Sequence, residues 1–340
     1  MKKGLISMGV LLAFLTGCTP TPSQQSLTLS GLDPSRFEKM IDETKPVKLY
    51  TLKNESGMEV CITNFGARIV SIMVPDKNGK MTDVVLGFDN IEDYIHVPSD
   101  FGATIGRYAN RIGQGKITID GQEIQLPQNN FEHCLHGGPY GWQYQVYDAV
   151  QPDNSTIVLT MESPDGDANF PGAVTAVVTM KVTDDNAIDI SYEAVTDKKT
   201  VINMTNHTYF NLDGHKAGSI EGHSLMLNAS CYTPVVKGAI PTGEIATVKG
   251  TPMDFTELKE IGKEINEKVE QLRLTMGYDH NWVVDDWNGE LRHIATVVGP
   301  VSGRVMHTYT TLPGVQFYAG NCIGDEPGKD GAFYTKRSGL

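Results

Sequence analysis

The sequence is poor in basic residues, has no closely paired cysteines and lacks a second apolar run that could enter a membrane. Lysine and arginine total 28 against 41 aspartate and glutamate residues, which gives a formal net charge of −13. This acidic balance argues against nucleic acid as a partner. No C-x-x-C pair occurs, so neither a zinc site nor a disulfide framework is predicted; the cysteines are Cys18, Cys61, Cys134, Cys231 and Cys322.

The first residues have the order of charges and apolar side chains that is typical of an export signal. Lys2 and Lys3 precede an apolar stretch, residues 4–15, that is short for a membrane span, and the segment L-T-G-C ends at Cys18. It resembles a bacterial lipoprotein signal. The resemblance predicts a signal peptide over residues 1–17, lipid on Cys18 and a location in the cell envelope, outside the cytoplasm. An ordinary signal peptide with an incidental cysteine is the alternative.

Composition divides the remaining chain into a tether and one folded domain. Residues 18–45 are rich in Pro, Ser, Thr and Gln and lack sustained apolar periodicity, which predicts a tether. Residues 46–340 are long enough to bury a large core, and no repeat or second linker divides them. We expect a monomer that contacts the membrane only through its lipid.

Short runs of alternating or clustered apolar residues predict many strands. Turn dipeptides separate several of them, at Asn78-Gly79, Asp120-Gly121 and Asp165-Gly166. Many short strands with few helices favour an all-β sandwich or barrel. The clearest predicted strands cover residues 59–63, 67–74, 156–162, 174–182 and 188–193.

One segment has helical spacing instead. Within residues 256–272, apolar side chains recur three to four positions apart with Lys and Glu between them, which predicts a single surface helix. These apolar residues are Ile261, Ile265, Val269 and Leu272.

The chemistry is suggested first by residues 206–212, N-H-T-Y-F-N-L, which place His207 inside a strand-like run between two asparagines. A histidine exchanges protons near neutral pH without a metal, as opening a sugar ring requires. The alternative is a core histidine satisfied by hydrogen bonds.

Four further segments favour a carbohydrate pocket. They supply guanidinium, imidazole, carboxylate and amide groups for sugar hydroxyls, and aromatic rings for the apolar face of a pyranose. Alone, each is weak, because a loop arginine or a lone aspartate is often structural. The segments are G-R-Y-A-N-R-I at 106–112, L-H-G-G at 135–138, G-Y-D-H-N-W at 277–282 and P-G-V-Q-F-Y-A-G-N at 313–321.

In this order and spacing, the five segments resemble the galactose mutarotase, or aldose 1-epimerase, family over roughly residues 47–339. The resemblance implies a large antiparallel β-sandwich with an open face for the sugar, and interconversion of the α and β anomers of a free aldohexose such as galactose or glucose. His207 would be the general acid that protonates the ring oxygen. The groups that would hold the hydroxyls are Arg111, His136 and Asp279, with Asn110, Tyr209 and Gln316 as further pocket residues.

The resemblance also guides choices between neighbouring residues and cofactors. Arg111 is preferred to Arg107 because it follows the asparagine of the N-R pair, and Arg107 is expected to be structural. Ring opening needs no redox cofactor and no metal. A structural calcium ion is a further expectation, although no D-x-D-x-D-G ligand spacing is present.

The chain departs from the family pattern at its end. Family members carry the catalytic base, a glutamate, in an L-E-T-Q strand soon after the stretch that matches residues 331–339 here. The sequence ends at Leu340, so the base and the following strands are expected to be missing, and none of Glu132, Glu193, Glu244 and Glu326 lies in a matching motif. Loss of a general base typically lowers a rate by about 10² to 10⁴. We therefore expect weak turnover at most.

Two other functions remain open. A non-catalytic sugar-binding protein, or a truncated remnant of the enzyme, would keep the hydroxyl-holding groups and lack the chemistry. A relative that acts on phosphorylated hexoses would need a basic phosphate clamp, for which no Lys or Arg cluster lies near the motifs.

Overall fold

The structure, a computed structural model, describes residues 26–41 and 44–340. The predicted signal peptide at 1–17 and the predicted lipidation site, Cys18, lie outside the described residues. Within the described ranges, neither of the two helices has the length and apolar surface that crossing a membrane requires.

Short strands dominate the described residues, and all paired strands run antiparallel. The two helices are α1 (Ile91–His96) and α2 (Glu270–Leu274). Strands in the first half are β1 (Lys39–Met40), β2 (Pro46–Val47), β3 (Leu49–Lys53), β4 (Glu59–Thr63), β5 (Arg68–Pro75), β6 (Met81–Asp83), β7 (Ala103–Ile105), β8 (Arg111–Ile112), β9 (Lys116–Ile119), β10 (Gln122–Gln125), β11 (Cys134–Leu135), β12 (Asp148–Val150), β13 (Thr156–Ser163), β14 (Val174–Val182) and β15 (Ile188–Thr196). Strands in the second half are β16 (Thr205–His207), β17 (Ser224–Leu227), β18 (Cys231–Thr233), β19 (Val235–Val236), β20 (Ile240–Pro241), β21 (Ala246–Thr247), β22 (Lys259–Glu260), β23 (Asp279–Val283), β24 (Arg292–Val298), β25 (Val305–Thr310), β26 (Gly314–Tyr318), β27 (Glu326–Pro327) and β28 (Phe333–Tyr334).

Two four-stranded sheets in the first half pack face to face. One has the order β3-β4-β5-β6 and the other the order β12-β13-β14-β15. Their inward side chains share one core, in which Val60 and Ile72 of the first sheet meet the cluster that holds Leu159 and Val178 of the second. Burying such a side chain stabilises a fold by about 1.5 to 3 kcal/mol. This core therefore fixes the first sandwich.

A second pair of four-stranded sheets repeats this arrangement in the second half, with orders β22-β17-β24-β25 and β21-β18-β23-β26. Their shared core contains Leu225 and Val297 of one sheet and Trp282 and Phe317 of the other. The predicted all-β, antiparallel sandwich class is confirmed. The motif residues come from two kinds of segment: Arg111 and His207 lie on the short strands β8 and β16, whereas Asp279 and Gln316 lie on β23 and β26 of the second pair of sheets.

Several predicted elements are confirmed. Residues 59–63 and 174–182 form β4 and β14 with the predicted bounds, and along β14 buried and less buried positions alternate. The turn at Asp120-Gly121 reverses β9 into β10, with φ of 50° and 79° at its two residues. Asp165-Gly166 instead lies in a longer connection between β13 and β14 that contains a 3₁₀ turn at Asp167–Asn169.

The predicted helix over 256–272 is wrong. This region contains β22, which pairs with β17, and a 3₁₀ turn at Ile261–Lys263, and α2 begins only at Glu270. Ile261 and Ile265 are buried in the second core, so the apolar spacing reflects burial of an irregular segment. Gly262 also disfavours a helix interior, because glycine costs a helix about 1 kcal/mol relative to alanine.

The folded region begins earlier than the predicted boundary at residue 46. Phe37 is fully buried and Leu32 nearly so, although the composition of residues 18–45 predicts a tether. Leu29 N–H donates to Glu59 Oε1 at 2.6 Å, and β1 pairs with β2. The prediction of a tether is thus wrong for residues 28–40, because two apolar side chains suffice to dock a short polar segment on the core.

Candidate active site

His207 ends the short strand β16, which pairs with β7 and places His207 opposite Ala103. The Gly102 N–H donates to the His207 carbonyl oxygen at 3.1 Å. Gly102 has φ of +69°, and an added Cβ would lie 1.9 Å from the carbonyl oxygen of Ile69. Only glycine fits there, so the backbone that holds His207 is closely fixed.

Two aromatic rings flank the imidazole of His207. The His136 ring centroid lies 5.1 Å away at an interplanar angle of 89°, and the Tyr209 ring centroid lies 5.1 Å away on a tilted plane. Burial raises the pKa of the Tyr209 phenol well above its ordinary value. Tyr209 therefore stays neutral at physiological pH and offers a ring and a hydroxyl, not a charge. His207 itself is only partly buried, as a group that meets a ligand must be.

The two loops that carry Asn110 and His136 are joined by a reciprocal pair of hydrogen bonds. The His136 N–H donates to the Asn110 carbonyl oxygen at 3.0 Å, and the Asn110 N–H donates to His136 Nδ1 at 3.0 Å. Both residues have left-handed backbone, with φ of 62° and 52°, which these reciprocal bonds hold in place. Because Nδ1 accepts a hydrogen bond, a neutral His136 ring carries its hydrogen on Nε2.

The His136 ring is a neutral donor at physiological pH. Burial lowers its pKa from 6.5 to about 3; the neighbouring His207 ring acts in the same direction and the Asp100 carboxylate opposes it. Nε2–H of His136 thus offers a hydrogen bond without a charge, which suits a sugar hydroxyl.

A network of polar side chains lies beside these rings and contains Arg111, Asp279 and Gln316. Arg111 Nη1 donates to Asn110 Oδ1 at 3.0 Å and lies 3.9 Å from Asp279 Oδ2. Gln316 Nε2, on the strand next to Asp279, donates to Asp279 Oδ1 at 2.7 Å. Burial raises the pKa of Asp279, while Arg111, then Gln316 and His207, act against that rise. These contacts place a guanidinium, a carboxylate and an amide next to one another.

All seven site residues predicted within the domain therefore lie in one contiguous group. Contacts run from Gln316 through Asp279, Arg111, Asn110 and His136 to His207 and Tyr209. Arg107 lies apart from that group: it is buried and donates to the carbonyl oxygens of Pro171 and Gly172 and to Ser163 Oγ. Its predicted structural role is confirmed.

One residue in the group was not predicted. A carboxylate oxygen of Asp100 and one ring nitrogen each of His136 and His207 all lie within 4.8 Å of one another. Asp100 belongs to no motif, and an aspartate in a polar loop normally indicates only a turn. Two imidazoles and one carboxylate do not match the all-oxygen ligand set that calcium prefers.

The chain resembles known sugar enzymes over most of its length. The family model "Aldose 1-epimerase" matches residues 48–340. The aldose 1-epimerase of Escherichia coli (strain K12) is 36% identical over 297 residues, 87% of this chain and 85% of that protein. The galactose mutarotase of Bos taurus is 39% identical over 295 residues, 86% and 84% of the two chains. A solved structure of an aldose epimerase homologue from C. elegans superposes with a TM-score of 0.80 at 30% identity, covering 86% of this chain and 88% of that one.

Proposed function

Because the chain belongs to the aldose 1-epimerase family, we propose that it interconverts the α and β anomers of free aldohexoses such as galactose and glucose. The observation that carries the proposal is the contiguous group from Gln316 to Tyr209, in which one partly exposed histidine faces a neutral imidazole donor and a ring of hydroxyl-binding groups.

In this proposal, His207 gives a proton to the ring oxygen while a base takes the proton of the anomeric hydroxyl. The ring opens to the aldehyde, rotates about C1–C2 and closes on the other face. The C1–O5 bond breaks and re-forms with acid and base assistance and without any change of oxidation state, so no cofactor is proposed.

The remaining groups position the sugar. His136 Nε2–H and Arg111 donate to hydroxyls, and Asp279 accepts from them, its carboxylate oriented by the 2.7 Å bond from Gln316. Asn110 fixes Arg111 through their 3.0 Å bond, and the Tyr209 ring lies beside the His207 ring and offers its face to the sugar.

Polarimetry tests this function. Freshly dissolved α-D-galactose or α-D-glucose is expected to reach rotational equilibrium slightly faster with the protein than in buffer, and calorimetry is expected to detect galactose binding. Binding without acceleration would support the sugar-binding alternative, and absence of both would refute the proposal.

We further propose that the protein acts in the cell envelope as a monomer anchored by lipid on Cys18. The support is the order of Lys2, Lys3, the apolar stretch and the L-T-G-C segment. Mass spectrometry of the membrane-fraction protein should find lipid on an N-terminal Cys18, and Cys18→Ser should abolish it. An unmodified, soluble product from the parent gene would contradict the anchor.

A further inference from the structure

An aromatic side chain lies in solvent beside the candidate site. Phe131 is 86% exposed, the largest exposed fraction among the large hydrophobic residues of the described ranges. It directly follows Asn130, whose Oδ1 accepts a hydrogen bond from Nε of Arg111 at 3.4 Å. Arg111 is one of the groups proposed to hold the sugar. Phe131 therefore lies one residue beyond the end of the polar network that runs from His207 to Arg111.

The turn that carries Phe131 is firmly anchored. Asn130 and His133 close it, and each donates its N–H to the carbonyl oxygen of the other, at 3.1 and 3.0 Å. The Gln114 N–H donates to His133 Nδ1 at 3.0 Å, and an added Cβ on Gly238 would lie 2.6 Å from His133 Nε2. After the turn the chain enters β11, which pairs with β8. These contacts hold the turn beside β8.

The backbone of Phe131 is unusual for a bulky residue. Its φ is +52°, in the left-handed region, at the first of the two turn positions, where glycine or asparagine is normally found. A phenylalanine there strains the backbone, and its exposed ring gains no stability from burial. Strained residues of this kind cluster where proteins hold ligands. The fold itself does not use this ring, which indicates that its partner is a ligand.

The hydrogen-bonding groups of the site decide where a second sugar unit can extend from the hexose. With the ring oxygen at His207, as proposed above, the opposite rim of the hexose meets Arg111. A guanidinium only donates hydrogen bonds, so it can bind a glycosidic oxygen as well as a hydroxyl. The carboxylate of Asp279 only accepts hydrogen bonds, so it needs a free hydroxyl. A second sugar unit therefore extends from the Arg111 side, towards Phe131.

We propose that Phe131 forms a subsite for a second sugar ring, so that the protein binds reducing disaccharides more tightly than free hexoses. This inference rests on the proposed function, because it takes the orientation of the hexose from it. The phenyl ring packs on the apolar C–H face of the outer pyranose. The inner, reducing-end hexose keeps its free anomeric hydroxyl beside His207. Phe131 is thus a specificity-determining residue and takes no part in proton transfer.

Calorimetry with sugars that share a reducing-end glucose tests this subsite. Maltose, cellobiose and melibiose carry a second ring through different linkages, and glucose carries none. We expect at least one of the three disaccharides to bind the parent about tenfold more tightly than glucose, a difference of about 1.4 kcal/mol, because one face of the phenyl ring is buried. Trehalose, which has two rings but no free anomeric hydroxyl, should bind no more tightly than glucose.

Phe131→Asn removes the ring, and asparagine tolerates the left-handed backbone at this position. We expect this variant to bind each disaccharide within about threefold of its affinity for glucose. Its affinity for glucose itself should match the parent's, which also shows that the fold is intact. Phe131→Tyr should keep the preference for a disaccharide. Tyr309→Ala is the matched control, because it removes an exposed aromatic ring from β25, in a sheet that carries none of the site residues, and it should match the parent.

The outcomes separate this inference from the proposed function. Equal affinities of the parent for glucose and for all three disaccharides would overturn the subsite, and so would a preference that survives in Phe131→Asn. Polarimetry on α-D-glucose examines the proposed function itself. Glucose binding without faster mutarotation would remove the epimerase activity, whereas a disaccharide preference that is lost in Phe131→Asn would still support the subsite. Absence of binding to every sugar would remove both.

Discussion

The neutral state of His136 makes a measurable prediction about acid stability. Burial lowers the pKa of this ring to about 3 in the folded protein, against about 6.5 when the ring is exposed. Between these values the unfolded chain binds a proton that the folded chain does not. The stability contributed by the neutral ring is therefore present above pH 6.5 and is lost as the pH falls towards 3.

The size of this loss of stability follows from the two pKa values of His136, in the folded and in the unfolded chain. At pH 5 the unfolded histidine is almost fully protonated and the folded one almost fully neutral, so the free energy of unfolding is about 2 kcal/mol lower than at pH 8 from this residue alone. Two other buried histidines, His215 and His280, with pKa values lowered by burial to about 4, add losses of the same sign. Comparing the parent with a variant at position 136 cancels their contributions.

His136→Asn is the suitable variant, because asparagine tolerates the left-handed backbone found there, with φ of 52°. Urea unfolding of both proteins, followed by tryptophan fluorescence, gives the difference in unfolding free energy at pH 8 and at pH 5. We expect the parent to lose about 2 kcal/mol more than the variant over this range. If the two proteins' losses of unfolding free energy differ by less than about 0.5 kcal/mol, His136 is not neutral in the folded protein. An NMR resonance of His136 that titrates above pH 5 would refute its neutral state in the same way.

Two further predictions concern the surroundings of the site. Arg107→Met should destabilise the fold by at least about 3 kcal/mol in urea unfolding, because the buried acceptors Gly172 O and Ser163 Oγ lose their donor. A loss under about 1 kcal/mol would contradict this structural role. Asp279→Ala should lower kcat/KM for galactose by about 10- to 150-fold, the value of a charged hydrogen bond, with Asp279→Asn less impaired since it keeps an acceptor beside Arg111. Equal activity of Asp279→Ala and the parent in the polarimetric assay would contradict a sugar contact.

The strands could be predicted wherever burial alternates along the chain. In β14, the inward residues Ala176 and Val178 are fully buried and their neighbours are less buried. Apolar residues stand at the same alternate positions in the sequence, so the pattern predicts the strand. The helix prediction over 256–272 failed because the same apolar spacing arises when an irregular segment buries Ile261 and Ile265 in a core formed by distant strands. Local periodicity does not distinguish these two cases.

The site could be predicted only where a motif marked its residues. His207, Arg111 and Asp279 lie in segments whose order resembles a family, and the fold brings them into one group. Asp100 lies in a loop between two short elements with no motif around it. Its position depends on Arg68 of β5, whose guanidinium donates hydrogen bonds to the carbonyl oxygens of the two flanking residues, Ser99 and Phe101. No sequence signal encodes that long-range contact.

The central claim is that His207 delivers a proton to the ring oxygen of a hexose. The direct measurement is the polarimetric mutarotation rate of His207→Asn beside the parent, with galactose binding measured by calorimetry on both. We expect kcat to fall by about 100-fold or more, with galactose still bound, because general acid assistance typically contributes about 10² to 10⁴. A variant that binds galactose and turns it over at the parent's rate would contradict the claim.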